Sequence, residues 1–138
     1  MDFSYALTPL LAWLVAGVSK FIINSIKAKQ LTFGLIGYGG LPSNHSAIVS
    51  SMAALTALKE GIGHPAFGVA ITLAFIVVLD ANSLRRQVGK HDLTINKLAA
   101  GAPDHQKLRE RMGHTLLEIV AGIAVGLVVA ALVNTTLA

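Results

Sequence analysis

Cysteine is absent from the 138 residues, which excludes disulfides and thiolate metal sites and leaves the redox compartment unread. Charge is scarce as well. Only 13% of the residues are Asp, Glu, Lys or Arg, against about 25% in an average soluble domain. With 54% of the chain apolar, the deficit points to lipid as the solvent, because hydrocarbon accepts apolar side chains and penalises charged ones. The opening "MDFSYALTPLLAWLVAGVSK" has an acidic residue where a signal peptide carries basic ones, and its apolar run continues too far. It reads as a retained membrane helix. The net charge of +4 does not indicate nucleic acid, since the basic residues flank apolar spans and form no face interleaved with aromatics. Anionic lipid head groups or phosphate are the expected partners.

A spanning helix needs about 20 mostly apolar residues, and four stretches offer this, near 4–26, 43–59, 62–82 and 114–134. The third, with "AFGVAITLAFIVVL", and the fourth, with "IVAGIAVGLVVAALV", carry no charge in those runs. The second is interrupted by Ser46, Ser50, Ser51 and Thr56. Its length is about 25 Å, short of a hydrocarbon core of about 30 Å. Such a helix is expected inside the bundle, beginning below the membrane surface. Gly122 and Gly126 form a GxxxG pair that lets the fourth helix approach a neighbour closely. Residues 87–113 are polar and are expected to form a short helix, a Gly-Ala-Pro turn and a second amphipathic helix at the interface. No repeat, low-complexity tract or linker divides the chain. The expected fold is all-α: one membrane-embedded domain over 1–138, a bundle of about four spanning helices with a polar, partly helical interfacial connection.

Four spans place both termini on one side and the loops 27–42 and 83–113 on the other. Of the eleven Lys and Arg residues, all but Lys59 fall at or near the loop side, so those loops are expected to face the cytoplasm. This folding gathers polar residues at one membrane face. Lys20 and Lys27 lie near the end of the first span, His45 opens the second, Asp80, Arg85 and Arg86 close the third, and His114 with Glu118 opens the fourth. Ionisable groups at membrane depth are costly, so each needs a partner or a function. His114 and Glu118 are four apart and share a helix face. A carboxylate there can accept one imidazole N–H and leave the other nitrogen free to attack. Taken singly, each residue has a plain structural role: helix capping for His45, a hydrogen bond for His114–Glu118, snorkelling for Lys20 and Lys27, topology for Arg85 and Arg86. Their convergence argues for a site. His64, in "GHP", falls on the opposite side and reads as a loop residue, while His91 and His105 read as solvated.

Three stretches carry a family resemblance. "GGLPSNHSA" resembles the GGMPSSHSA signature of the divergent type 2 phosphatidic acid phosphatases, also called acid phosphatase/vanadium-dependent haloperoxidase-related proteins. "DANSLRRQVGKHDLTIN" is similar to that family's DAxGVRRxxGxxAxxxN stretch, and "LRERMGHTLLEIVAG" to its LxExLGHTxxEVxxG ending. The likeness runs from about Lys20 to Gly126, although Asn82-Ser83 departs from the family's x-Gly. The wider superfamily uses KxxxxxxRP, PSGH and SRxxxxxHxxxD. "KFIINSIKA" keeps the first spacing with Lys27 for Arg and Ala28 for Pro. "PSNH" has Asn44 for Gly, and "HTLLE" has Glu118 for Asp. Leu108 stands where the third motif's arginine is due, with Arg109 and Arg111 close by and Arg85 or Arg86 as replacements.

The resemblance implies a phosphatase that uses neither metal nor other cofactor. Lys20, Lys27, an arginine (Arg85 or Arg86) and the backbone around Ser43 and Asn44 would hold the phosphate, with Asp80 in support. His114 would attack phosphorus, Glu118 would orient it, and His45 would protonate the leaving oxygen. The implied substrate is a lipid or isoprenoid phosphate met near the cytoplasmic face of a bacterial inner (plasma) membrane. A non-catalytic protein that binds or moves phospholipids is the alternative. A vanadate-dependent haloperoxidase shares the same residues, but those relatives are soluble. Four short helices also leave a homodimer open as a way to finish the packing.

Overall fold

A computed structural model describes residues 3–29, 40–110 and 112–137 of the chain. Five helices follow in order: α1 (Ser4–Ala28), α2 (Asn44–Glu60), α3 (Pro65–Asn82), α4 (Leu84–Leu98) and α5 (Leu116–Thr136). Among the described residues there is no strand. Three runs are long and apolar enough to cross a membrane: Ser4–Ala28, Pro65–Leu98 and Leu116–Thr136. The fourth expected span, α2, has 17 residues and lies between α1, α3 and α5 as the centre of the bundle.

The direction of each helix follows from its end contacts. The Tyr5 hydroxyl donates to Glu60 Oε1, so the start of α1 meets the end of α2. The Ser43 N–H donates to the Glu118 carbonyl at 2.9 Å, so α2 and α5 start together. Both ends of the bundle are thereby set: α1 and α3 run toward the face where α2 and α5 begin, and α4 lies at that face.

Small side chains make the centre possible. On α1 the buried residues recur every fourth position, Ser4, Thr8, Ala12, Ala16 and Lys20, which is one face of a helix. The row is narrow and lets backbones come close, and its last member carries a lysine into the packed face. Buried hydroxyls on α2 bond to their own helix: Ser50 Oγ to Ser46 O at 2.6 Å, Ser51 Oγ to Ile48 O at 2.8 Å and Thr56 Oγ1 to Met52 O at 2.8 Å. A polar helix can therefore sit in the middle without orphaned donors. The GxxxG pair of α5 lies directly against it. A Cβ on Gly122 would overlap the Ser43 carbonyl, and one on Gly126 would overlap Ser50 Oγ and the Ala47 carbonyl. By contrast, α3 buries only Ala74 and Ala81, and presents Val69, Leu73, Phe75 and Ile76 outward, where lipid would meet them.

The polar connection departs from expectation. Its first helix is present as α4, but no second amphipathic helix forms among the described residues after it. The chain turns at Ala99–Gly101, where Gly101 has φ +93°, and 102–110 runs back along α4 without helical structure. Two causes are visible. Pro103 has no N–H to give a helix, and the Asn96 side chain takes both the N–H and the carbonyl of Leu108, each at 2.8 Å. His64 is also more than a loop residue. Its Nδ1 accepts the Ala66 N–H at 3.2 Å and caps α3.

Candidate active site

The face where α2 and α5 start holds two histidines whose ring centroids are 6.4 Å apart, tilted by 55°. His45 is the second residue of α2, placed by a capped turn. Ser43 Oγ accepts the Ser46 N–H at 3.4 Å and the Ser46 hydroxyl at 3.1 Å. His114 precedes α5 and is only 7% exposed. Its backbone N–H donates to the Ala81 carbonyl at 3.0 Å, which pins it to the end of α3.

Glu118 arranges this corner. Its Oε2 lies 3.1 Å from His114 Nδ1 and also accepts the Thr115 N–H at 2.9 Å, while Thr115 Oγ1 accepts the Glu118 N–H at 3.3 Å. That reciprocal capping box fixes the carboxylate. A carboxylate only accepts, so Nδ1 carries the proton and Nε2 has a free lone pair. Burial pushes the His114 imidazole below the ordinary histidine range, with Lys20 and Arg85 adding to the effect. The hydrogen bond and charge of Glu118 push the other way.

On the other side, Arg85 Nη2 stands 3.3 Å from His45 Nε2. Arginine only donates, so this Nε2 accepts and the ring proton sits on Nδ1. Asp80 Oδ2 is 3.6 Å from Arg85 Nε and steers the guanidinium. Lys20, at 9% exposure, closes the set from α1. Gly40 lies over it: a Cβ there would touch the Lys20 stem at 3.8 Å and the Asn24 side chain at 3.6 Å.

The structure thus brings His45, His114, Glu118, Lys20, Arg85 and Asp80 to one place. Other residues expected there are placed elsewhere or already engaged. Lys27 is exposed in the last turn of α1. Arg86 is exposed and packs its stem against Gly113, where a Cβ would come within 2.8 Å. Between the two arginines, Arg85 is the one beside the histidines. Ser43 is fully buried, with its hydroxyl capping α2 and its N–H given to Glu118. The Asn44 side chain turns toward Gly17 of α1, its Oδ1 buried without a hydrogen-bond partner among the described residues. At that helix start the backbone amides of Asn44 and His45 come too early in α2 to have an intrahelical acceptor. Arg111 and Gly39 lie outside the described residues. Among the described residues no group of three His, Asp or Glu is placed to hold a metal. Sequence reasoning misses Thr115, although Thr115-Leu-Leu-Glu118 has the spacing of a capping box.

No solved structure matches the chain at a significant level. The "Uncharacterized membrane protein YuiD" of Bacillus subtilis (strain 168) is 32% identical over 138 residues, covering 88% of this chain and 87% of its own. The model of the Divergent PAP2 family matches residues 3–129. That match takes in every residue of the paired-histidine site, and the chain belongs to the Divergent PAP2 family.

Proposed function

We propose that this protein is a membrane phosphatase that hydrolyses a lipid or isoprenoid phosphate through a phosphohistidine. The observation that carries the reading is the His45–His114 pair, with Glu118 holding the Nδ1 proton of His114 and leaving Nε2 free. In-line displacement needs a nucleophile about 3 Å from phosphorus and a proton donor about 2.8 Å from the leaving oxygen on the opposite side. Two rings at 6.4 Å are on the scale of that gap.

The Nε2 lone pair of His114 attacks phosphorus and the bond to the leaving oxygen breaks. His45, protonated and released from Arg85, delivers a proton to that oxygen. Arg85 turns onto the phosphoryl oxygens, joined by Lys20 and the amides at the start of α2, which stabilise their charge. Water, giving its proton to His45, then attacks the phosphoryl group. The P–N bond breaks, phosphate leaves and His114 is restored. None of these steps calls on a metal. The shortness of α2 supports a site beneath the surface, where a head group can enter while its tail stays in lipid. The Lys and Arg bias of the loops supports a site near the cytoplasmic face of a plasma membrane.

A non-catalytic phospholipid binder or transporter is the second reading. It is favoured by the Arg85 contact, which occupies the very nitrogen an acid would use. Phosphate release from a panel of lipid, isoprenoid and aryl phosphates by detergent-purified protein separates the two. Turnover of an alkyl phosphate supports the enzyme, and binding without turnover of any member supports the binder.

A further inference from the structure

Residues 99–110, with 112 and 113 ahead of His114, form a strap that runs back along α4. Its contacts descend α4 in order. Leu108 is held by Asn96, the carbonyl of Glu110 crosses Gly89, where a Cβ would stand 2.5 Å from it, and Gly113 packs on Arg86. The next residue, His114, bonds to Ala81. Arg85 and Asn96 are on the same helix, eleven residues and about three turns apart. The register of the strap on α4 is therefore a constraint, beside the Ala81 bond, on where His114 stands relative to Arg85.

Asn96 is unusual in how completely it is used. Oδ1 accepts the Leu108 N–H at 2.8 Å and faces His105 Nε2 at 3.0 Å, while Nδ2 donates to the Leu108 carbonyl at 2.8 Å and to Glu110 Oε1 at 3.0 Å. All four hydrogen-bonding positions of a side-chain amide are filled. The pairing with Leu108 copies what a neighbouring strand would do, so a shift by one residue would break both backbone bonds. Asn96 also closes the "DANSLRRQVGKHDLTIN" stretch, and the proposed chemistry gives it no part.

We propose that Asn96 is a positioning residue that locks the strap in register on α4 and so sets His114 against Arg85 and the phosphate. This rests on the reading of His114 as the nucleophile. Phosphate is held by groups on α1, α2 and the start of α4, so loss of Asn96 should spare binding and slow chemistry.

The test uses full-length protein in detergent, with an aryl phosphate as substrate and inorganic phosphate as the binding probe. Asn96→Ala should lower kcat about 10- to 100-fold, the scale of a misplaced reacting group. KM and the inorganic phosphate dissociation constant should stay within about two-fold. In ¹⁵N-histidine NMR the His114 Nδ1–H signal, assigned with His114→Gln, should move or broaden. Asn96→Asp keeps the acceptor and loses both donors. Its activity relative to wild type should rise as pH falls, because a protonated carboxyl again donates to Leu108. If Asn96→Ala fails to fold, Asn96→Asp and Asn96→Ser carry the same comparison. Wild-type kcat with an unmoved His114 signal would overturn the proposal, as would a loss seen equally in KM and inorganic phosphate affinity. Should wild-type protein turn over no phosphate at all, the phosphatase reading fails, and the His114 signal alone decides the role of Asn96.

Discussion

His114 and His45 are asked to do different things, so their loss should be felt differently. His114→Ala removes the attacking nitrogen and should abolish hydrolysis of every substrate. His45→Ala should spare an aryl phosphate, whose leaving group needs no proton, and cost an alkyl lipid phosphate about 100-fold or more. Glu118→Gln should fall between. Assays of all three variants on both substrates check this, and equal losses for His45→Ala would remove its role as acid. The pH profile is a second check. The nucleophile must be neutral, and burial holds His114 below the ordinary range, so its neutral form persists as pH falls. With an aryl phosphate the acid limb of kcat/KM should therefore lie below about 6.5. Glu118→Gln removes the contributions that raise the imidazole and should move that limb lower still. A limb above that value, or one raised by the substitution, contradicts the assignment. The arginines give a third. Vanadate should raise the thermal midpoint of wild type and of Arg86→Ala by mass action, and do so much less for Arg85→Ala. Equal stabilisation of all three would show that Arg85 does not face the anion.

At the scale of the elements, α5 against α2 is the contact most sensitive to volume. Gly126→Val places atoms where Ser50 Oγ and the Ala47 carbonyl already stand. Replacing a helical glycine by a better helix former gains at most about 1 kcal/mol. Overpacking a fixed contact costs about 1–3 kcal/mol, and backbone atoms cannot swing aside as a long side chain can. The overlap should win, and Gly126→Val should melt below wild type in detergent. The same change at Gly68, where a Cβ would meet nothing within 4 Å, should not lower the midpoint. This contact is legible in the sequence because small residues spaced by four mark one face of a helix. The burial of α2 is legible from its length and its hydroxyls. The strap is not, because its hold is one side chain reaching a backbone twelve residues away, which leaves no periodic trace. Lys27 shares the spacing of Lys20 but lies exposed in the last turn of α1, one residue before the helix ends. The choice between Arg85 and Arg86 depends on which way α4 rolls, which adjacent positions in the sequence do not reveal.

For the whole molecule, the bundle places both helix ends nearest the termini at the face opposite the two histidines. If the basic loops face the cytoplasm, a C-terminal alkaline-phosphatase fusion should be active in cells and a cytoplasmic reporter at the same site silent; the reverse pattern would invert the orientation. The central claim concerns chemistry, and trapping the intermediate tests it most directly. Purified protein would be mixed with a lipid phosphate, quenched in alkali during turnover and digested for mass spectrometry. The account predicts phosphate release together with a phosphoryl group on His114, absent from His114→Ala. Release of phosphate with His114 never modified, or no release and no modification, would contradict it.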